Sequence, residues 1–80
     1  MKAHVWVMLK MTVLDPQGQT IQQALTSLGH KKIKEVRQGK FFVLNLEGST
    51  KPEAETEVEK IAREVLTNPV IEEFRFEIIE

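Results

Sequence analysis

The sequence predicts an α+β domain with two helices packed on one face of a mainly antiparallel sheet, in the order β-α-β-(β)-α-β. Three observations carry this expectation. Residues 3–11 alternate with the period of a strand, and a second apolar-rich stretch at 70–79 closes the chain. Two segments between them repeat apolar residues at helical spacing. Glycine or proline stands at most of the junctions. Eighty residues leave room for one domain, 1–80, and no second.

Each element follows in order. Ala3, Val5, Val7, Leu9 and Met11 share the natural core face of the first strand, while His4, Trp6, Met8 and Lys10 share the other. Asp15-Pro16 reads as a helix N-cap followed by proline at the first helical position. Ile21, Ala24, Leu25 and Leu28 then form one stripe, and Gly29 is the expected left-handed stop, so the helix covers about 15–28 and should lay that stripe on the sheet. Residues 33–47 read as extended with an interruption at Gly39, either a tight hairpin or one strand bent at a bulge. Phe42, Leu44 and Leu46 lie on one side of the second half, Phe41 and Val43 on the other. Thr50 and Glu53 have capping-box spacing ahead of a second stripe of Ala54, Val58, Ile61, Ala62, Val65 and Leu66. Asn68-Pro69 ends that helix. The last strand is expected at about 70–79, with Val70, Phe74, Phe76 and Ile78 on one side and Ile71 and Ile79 flanking the other.

Composition narrows the functional classes. At 41% hydrophobic and 29% charged the chain is ordinary globular protein, not a disordered one. The absence of cysteine excludes disulfides, thiolate catalysis and sulfur-ligated metal, and two histidines, His4 and His30, make a poor imidazole metal site. Ser27 and Ser49 have no histidine beside them, the carboxylates of the second helix spread around it, and Gly18, Gly29, Gly39 and Gly48 are isolated, with no phosphate loop. No catalytic, cofactor-binding or metal residue is therefore assigned. The longest apolar run, Val5 to Leu9, is too short to span a bilayer, and no cleavable leader pattern precedes it, so the expected location is cytoplasmic.

Charge and hydropathy point to protein partners instead. Net charge is −1, yet residues 1–52 carry eight Lys/Arg against three Asp/Glu, and residues 53–80 carry three against nine. Such polarity can pair within one fold or hold two subunits in register. The basic cluster Lys31, Lys32, Lys34, Arg37 and Lys40 is open to a solvated edge, a protein contact or, least of all, nucleic acid. Residues 38–45 match the aromatic strand signature of RNA-recognition modules only at Gly39, Phe42 and Val43, and the missing stacking aromatics are each worth about 1–3 kcal/mol. Burying Trp6, Met8, Phe41 and Ile79 removes on the order of 400–600 Å² of apolar surface, or roughly 10–15 kcal/mol before association costs of similar size. A small soluble monomer rarely leaves such a patch open.

Four segments in order across the chain carry a family resemblance. They are Val13-Leu14-Asp15-Pro16-Gln17-Gly18, Ala24-Leu25-x-x-Leu28-Gly29, Val36-Arg37-x-Gly39-Lys40, and Asn68-Pro69-Val70-Ile71-Glu72 before Phe74-Arg75-Phe76-Glu77. The chain resembles the PurS subunit of phosphoribosylformylglycinamidine (FGAM) synthase, an enzyme of de novo purine biosynthesis. The resemblance implies a small non-catalytic subunit of a glutamine amidotransferase-type ligase, which converts formylglycinamide ribonucleotide, ATP and glutamine to FGAM. It implies a homodimer, with a tetramer as the next assembly, joined to a glutaminase (PurQ) and a synthetase (PurL) and supporting ammonia transfer between them. No cofactor is expected on this chain; ATP and magnesium belong to the synthetase subunit. Asp15, Pro16, Gly18, Gly29, Gly39, Asn68 and Pro69 are expected to be structural. Trp6, Met8, Arg37, Lys40, Phe41, Arg75 and Ile79 are the candidate subunit contacts. The rival readings are an ACT-like amino-acid-binding regulatory module, with a similar element order, and an RNA-binding module.

Overall fold

The computed structural model describes residues 1–80. Alternating residues of β1 (Lys2–Leu9) put Ala3, Val5 and Val7 on one face, where all three are buried. β1 is the centre of a three-stranded antiparallel sheet, flanked by β2 (Gly39–Asn45) and β3 (Glu72–Ile79) in the order β2-β1-β3. The register pairs Val5 with Phe42 on one side and with Phe76 on the other, so Phe42, Leu44, Phe74, Phe76 and Ile78 share the face of Val5. That face is covered by α2 (Lys51–Ile61), which buries Ala54 and Val58 and continues into a π-helical turn, Ala62–Leu66, that buries Ala62. The wide turn is closed by Thr67, whose hydroxyl donates to the Ala62 carbonyl five residues back at 2.8 Å.

The caps form as the sequence predicts. Thr50 and Glu53 make the reciprocal capping box. Asp15 caps α1 (Pro16–Ser27), accepting the Gly18 N–H at 2.9 Å, and Gly29 takes φ +99° beyond the helix end. In the Asn68-Pro69 turn the Asn68 carbonyl accepts from the Ile71 and Glu72 N–H groups, and the Glu72 carboxylate accepts from the Asn68 N–H at 2.7 Å. Val70 sits in this turn, 78% exposed, and so does not join the core face of the last strand, which starts at Glu72.

Two expectations change. The α+β class holds, but α1 does not lay its stripe on the sheet: Gly18 is its only buried residue, and Leu28 is 76% exposed. The reason lies at its first turn. The second Asp15 oxygen accepts the Gln38 N–H at 2.8 Å, and a Cβ on Gly18 would stand 2.1 Å from the Val36 carbonyl oxygen. The helix start is thereby tied to residues 36–38, beyond the end of the strands, and α1 projects as a lobe. Residues 33–38 form neither a hairpin arm nor a strand; the ladder begins at Gly39.

Shape records the consequence. The chain measures 50 × 26 × 14 Å with a radius of gyration of 16.1 Å, against about 12 Å for a compact chain of this length. Its accessible surface is 5972 Å², about 1,000 Å² above the norm for its mass. Two stability outcomes follow, both read as thermal midpoints of the isolated chain. Gly18→Ala forces its methyl group against backbone and should cost about 1–3 kcal/mol. Leu28→Ala, on the exposed stripe, should stay within about 0.5 kcal/mol of the parent.

Candidate functional site

The outer sheet face, away from α2, is built by the even-numbered residues of β1 and their neighbours. Cross-strand register arranges them in rows: Phe41–Trp6–Arg75, Val43–His4–Glu77, Asn45–Lys2–Ile79 and Gly39–Met8–Glu73. Phe41 and Trp6 lie 5.4 Å apart between ring centroids, and His4 stands edge-on to Phe41 at 5.2 Å. The Arg75 guanidinium covers Trp6 at 4.3 Å from the ring centroid, a cation–π contact. Phe41 and Val43 are still 54% and 50% exposed. Gly39 leaves φ negative and serves clearance instead of bending: its missing Cβ would stand 2.1 Å from the Met8 sulfur.

Of the seven candidate contacts, Trp6, Met8, Phe41 and Arg75 are brought together on this face, with Ile79 at its far end beside Lys2. Lys40 points to the opposite face at the sheet margin and meets Glu72 at 3.7 Å, an ion pair with the lysine largely in solvent. Arg37 is placed differently from an exposed contact. Its guanidinium donates to the carbonyls of Lys10 (3.0 Å) and Val13 (3.3 Å), with Leu9 at 3.5 Å. It therefore staples the β1–α1 loop from within the chain. His4 and Val43 complete the aromatic rows; strict alternation from Trp6 and Phe41 is the sequence signal that finds them.

The site offers apolar area, ring faces and two cations, Arg75 and Lys2, with the carboxylates of Glu73 and Glu77 in the same rows. No group of three or more His, Asp or Glu side chains is placed to share a metal ion, and no helix is long and apolar enough to cross a membrane. The Asp15 carboxyl is held below its ordinary value of 3.8, first by the Gln38 N–H, then by the Gly18 N–H, with Arg37 adding a smaller contribution. Glu53 is lowered by its bonds to Thr50. Both folded values lie below the unfolded ones, so their stabilisation is complete above the ordinary carboxylate range and is lost as pH falls from there through the lowered folded values. Thermal unfolding from pH 7 to pH 2 should show this acid loss, with a shallower slope in Asp15→Asn.

The model of the PurS family, described as phosphoribosylformylglycinamidine (FGAM) synthase, matches residues 2–80. The chain belongs to the PurS family. The PurS subunit of FGAM synthase from Bacillus subtilis is 39% identical over 79 residues, covering 99% of this chain and 93% of the relative. The Bacillus subtilis PurS structure superposes with a TM-score of 0.88 over 99% of this chain and 98% of that one, at 39% identity. A chain in the PurLQS structure from Thermotoga maritima gives a TM-score of 0.87 at 34% identity, covering 95% of this chain and 93% of that one. PurS membership over the whole length displaces the ACT-like and RNA-binding readings. The Bacillus subtilis relative is a subunit of FGAM synthase, one part of a larger enzyme.

Proposed function

We propose that this chain is the assembly subunit of an FGAM synthase, a non-catalytic piece that self-associates and joins a glutaminase to a synthetase. The observation that carries the reading is the match to the PurLQS chain over nearly the full length of both. The half-open aromatic face supports it, because Trp6, Met8, Phe41, Arg75 and Ile79 supply the apolar area and the cation of a protein contact. Glutamine hydrolysis, ATP and magnesium belong to the other two subunits. This chain's part is to hold them so that ammonia passes between them without reaching bulk solvent. Residues 1–80 act as one unit in the cytoplasm.

Reconstitution tests this directly. Glutaminase and synthetase subunits are assayed with and without this chain, using glutamine or ammonium as nitrogen source. Omission should abolish glutamine-dependent synthesis and spare the ammonia-dependent reaction. Full glutamine-dependent turnover without the chain would refute the assignment.

A further inference from the structure

The structure divides the basic cluster of residues 31–40. Arg37 commits its guanidinium to carbonyls of the β1–α1 loop, and Lys40 pairs with Glu72. That leaves His30, Lys31, Lys32 and Lys34 at the tip of the projecting lobe, all exposed. The ion pairs within the chain are Lys40–Glu72 and Arg63–Glu59, so no carboxylate neutralises these four. Residues 16–34 contain no Asp or Glu, and α1 carries no charged side chain.

The helix does not need these cations. Its last carbonyls, of Ala24, Leu25 and Thr26, already accept the N–H groups of Leu28, Gly29 and His30. The favourable field of a helix C-terminus falls off within its last turn, and Lys31, Lys32 and Lys34 lie beyond it. The tip is concave as well as basic. Gly29 turns the chain at φ +99°, and residues 29–33 line a cavity of about 340 Å³ with Ile33 as its apolar wall. The N–H groups of Lys31 and Lys32 have no acceptor within the chain, so backbone donors accompany the ammonium groups.

We propose that the tip of the lobe binds the polyphosphate tail of a nucleotide. The ammonium groups of Lys31, Lys32 and Lys34 neutralise the tail, and the Lys31 and Lys32 N–H groups donate to its oxygens. A di- or triphosphate brings several negative charges in one compact group, which is the sign and the concentration of charge that the tip leaves unmatched. Residues 10–38 contain no Phe, Trp or Tyr, so the base has no ring to stack on and goes unread. The same lack disfavours single-stranded nucleic acid, and the acidic stretch 53–80 repels an extended polyanion. The inference stands on the tip alone and does not depend on the assembly role.

Titration of the isolated, full-length chain, followed by proton–nitrogen correlation NMR at fixed ionic strength, tests the site. The probes are tripolyphosphate, ATP, GTP and inorganic phosphate. Amide shifts should centre on residues 29–34 and saturate with a Kd below about 1 mM for tripolyphosphate, ATP and GTP alike, with inorganic phosphate at least about tenfold weaker. Lys31→Gln combined with Lys32→Gln should weaken binding at least about tenfold. Lys31→Arg with Lys32→Arg should retain it, and Lys51→Gln, on α2, should leave it unchanged. Shifts reproduced by sulfate at the same ionic strength, or spread over the cations of the whole chain, would show screening only and overturn the site. Binding of ATP that survives the double glutamine substitution would overturn it too. Tip shifts produced by a single-stranded oligonucleotide and not by tripolyphosphate would assign the tip to nucleic acid and refute the proposal.

Discussion

Trp6→Glu is expected to leave the chain folded and to weaken its binding to the other subunits at least 30-fold. Trp6 stands on the outer face, and the core of Ala3, Val5, Val7, Val58 and Ala62 lies on the other side of the sheet. Stability should therefore change little; the new carboxylate faces Arg75 across the strands. Binding is another matter. A tryptophan at the centre of an interface commonly contributes about 2 kcal/mol or more, and 1.4 kcal/mol is a factor of ten. The acid also inserts a charge that the partner surface has to desolvate. Titrating the variant into the glutaminase and synthetase should shift half-maximal glutamine-dependent synthesis to at least about 30-fold higher concentration. Thermal midpoint and ammonia-dependent turnover should stay near the parental values. A parental titration curve would remove Trp6 from the interface.

The second large effect is on stability. Arg37→Ala should lower the folding free energy by about 3 kcal/mol, since bonds from a charged donor contribute roughly 1.5–3 kcal/mol each and part-exposure discounts the set. For a domain of this size that corresponds to roughly 15 °C in thermal midpoint. The carbonyls of Leu9 and Val13 lose the guanidinium donor together, the Lys10 carbonyl keeps only the Val13 N–H, and the Asp15 cap loses the cation that supports it. Arg37→Lys should restore only part of the loss, because one ammonium cannot span the fork that a guanidinium does. An unchanged midpoint in Arg37→Ala would show that the staple is dispensable.

These residues also show what was legible in the sequence. Strand parity around Trp6 and Phe41, the Asp15 cap, the Thr50–Glu53 box and the Gly29 stop are local, and each follows from spacing and backbone chemistry. The projecting lobe does not, because an apolar stripe such as Ile21, Leu25 and Leu28 says that a helix needs cover without saying from where. What decides its position is the Gln38 N–H on Asp15 and the close approach of Gly18 to Val36, contacts between residues 18 or more apart in the chain. Arg37 was legible as a charge beside a bend, but its acceptors are backbone carbonyls, which leave no trace in side-chain pattern. The absence of a strand at 33–38 has the same origin: alternation permits a ladder, and a ladder needs a neighbour with free peptide groups.

Central to the account is that the outer sheet face is covered in the working enzyme, and Trp6, the only tryptophan, reports on that face alone. The chain can be labelled with fluorotryptophan and followed by fluorine NMR, which sees no residue of the unlabelled partners. With glutaminase and synthetase added, the Trp6 signal should shift and lose its sensitivity to exchange of H2O for D2O. A signal that keeps its full solvent isotope shift in the active, assembled enzyme would contradict the account.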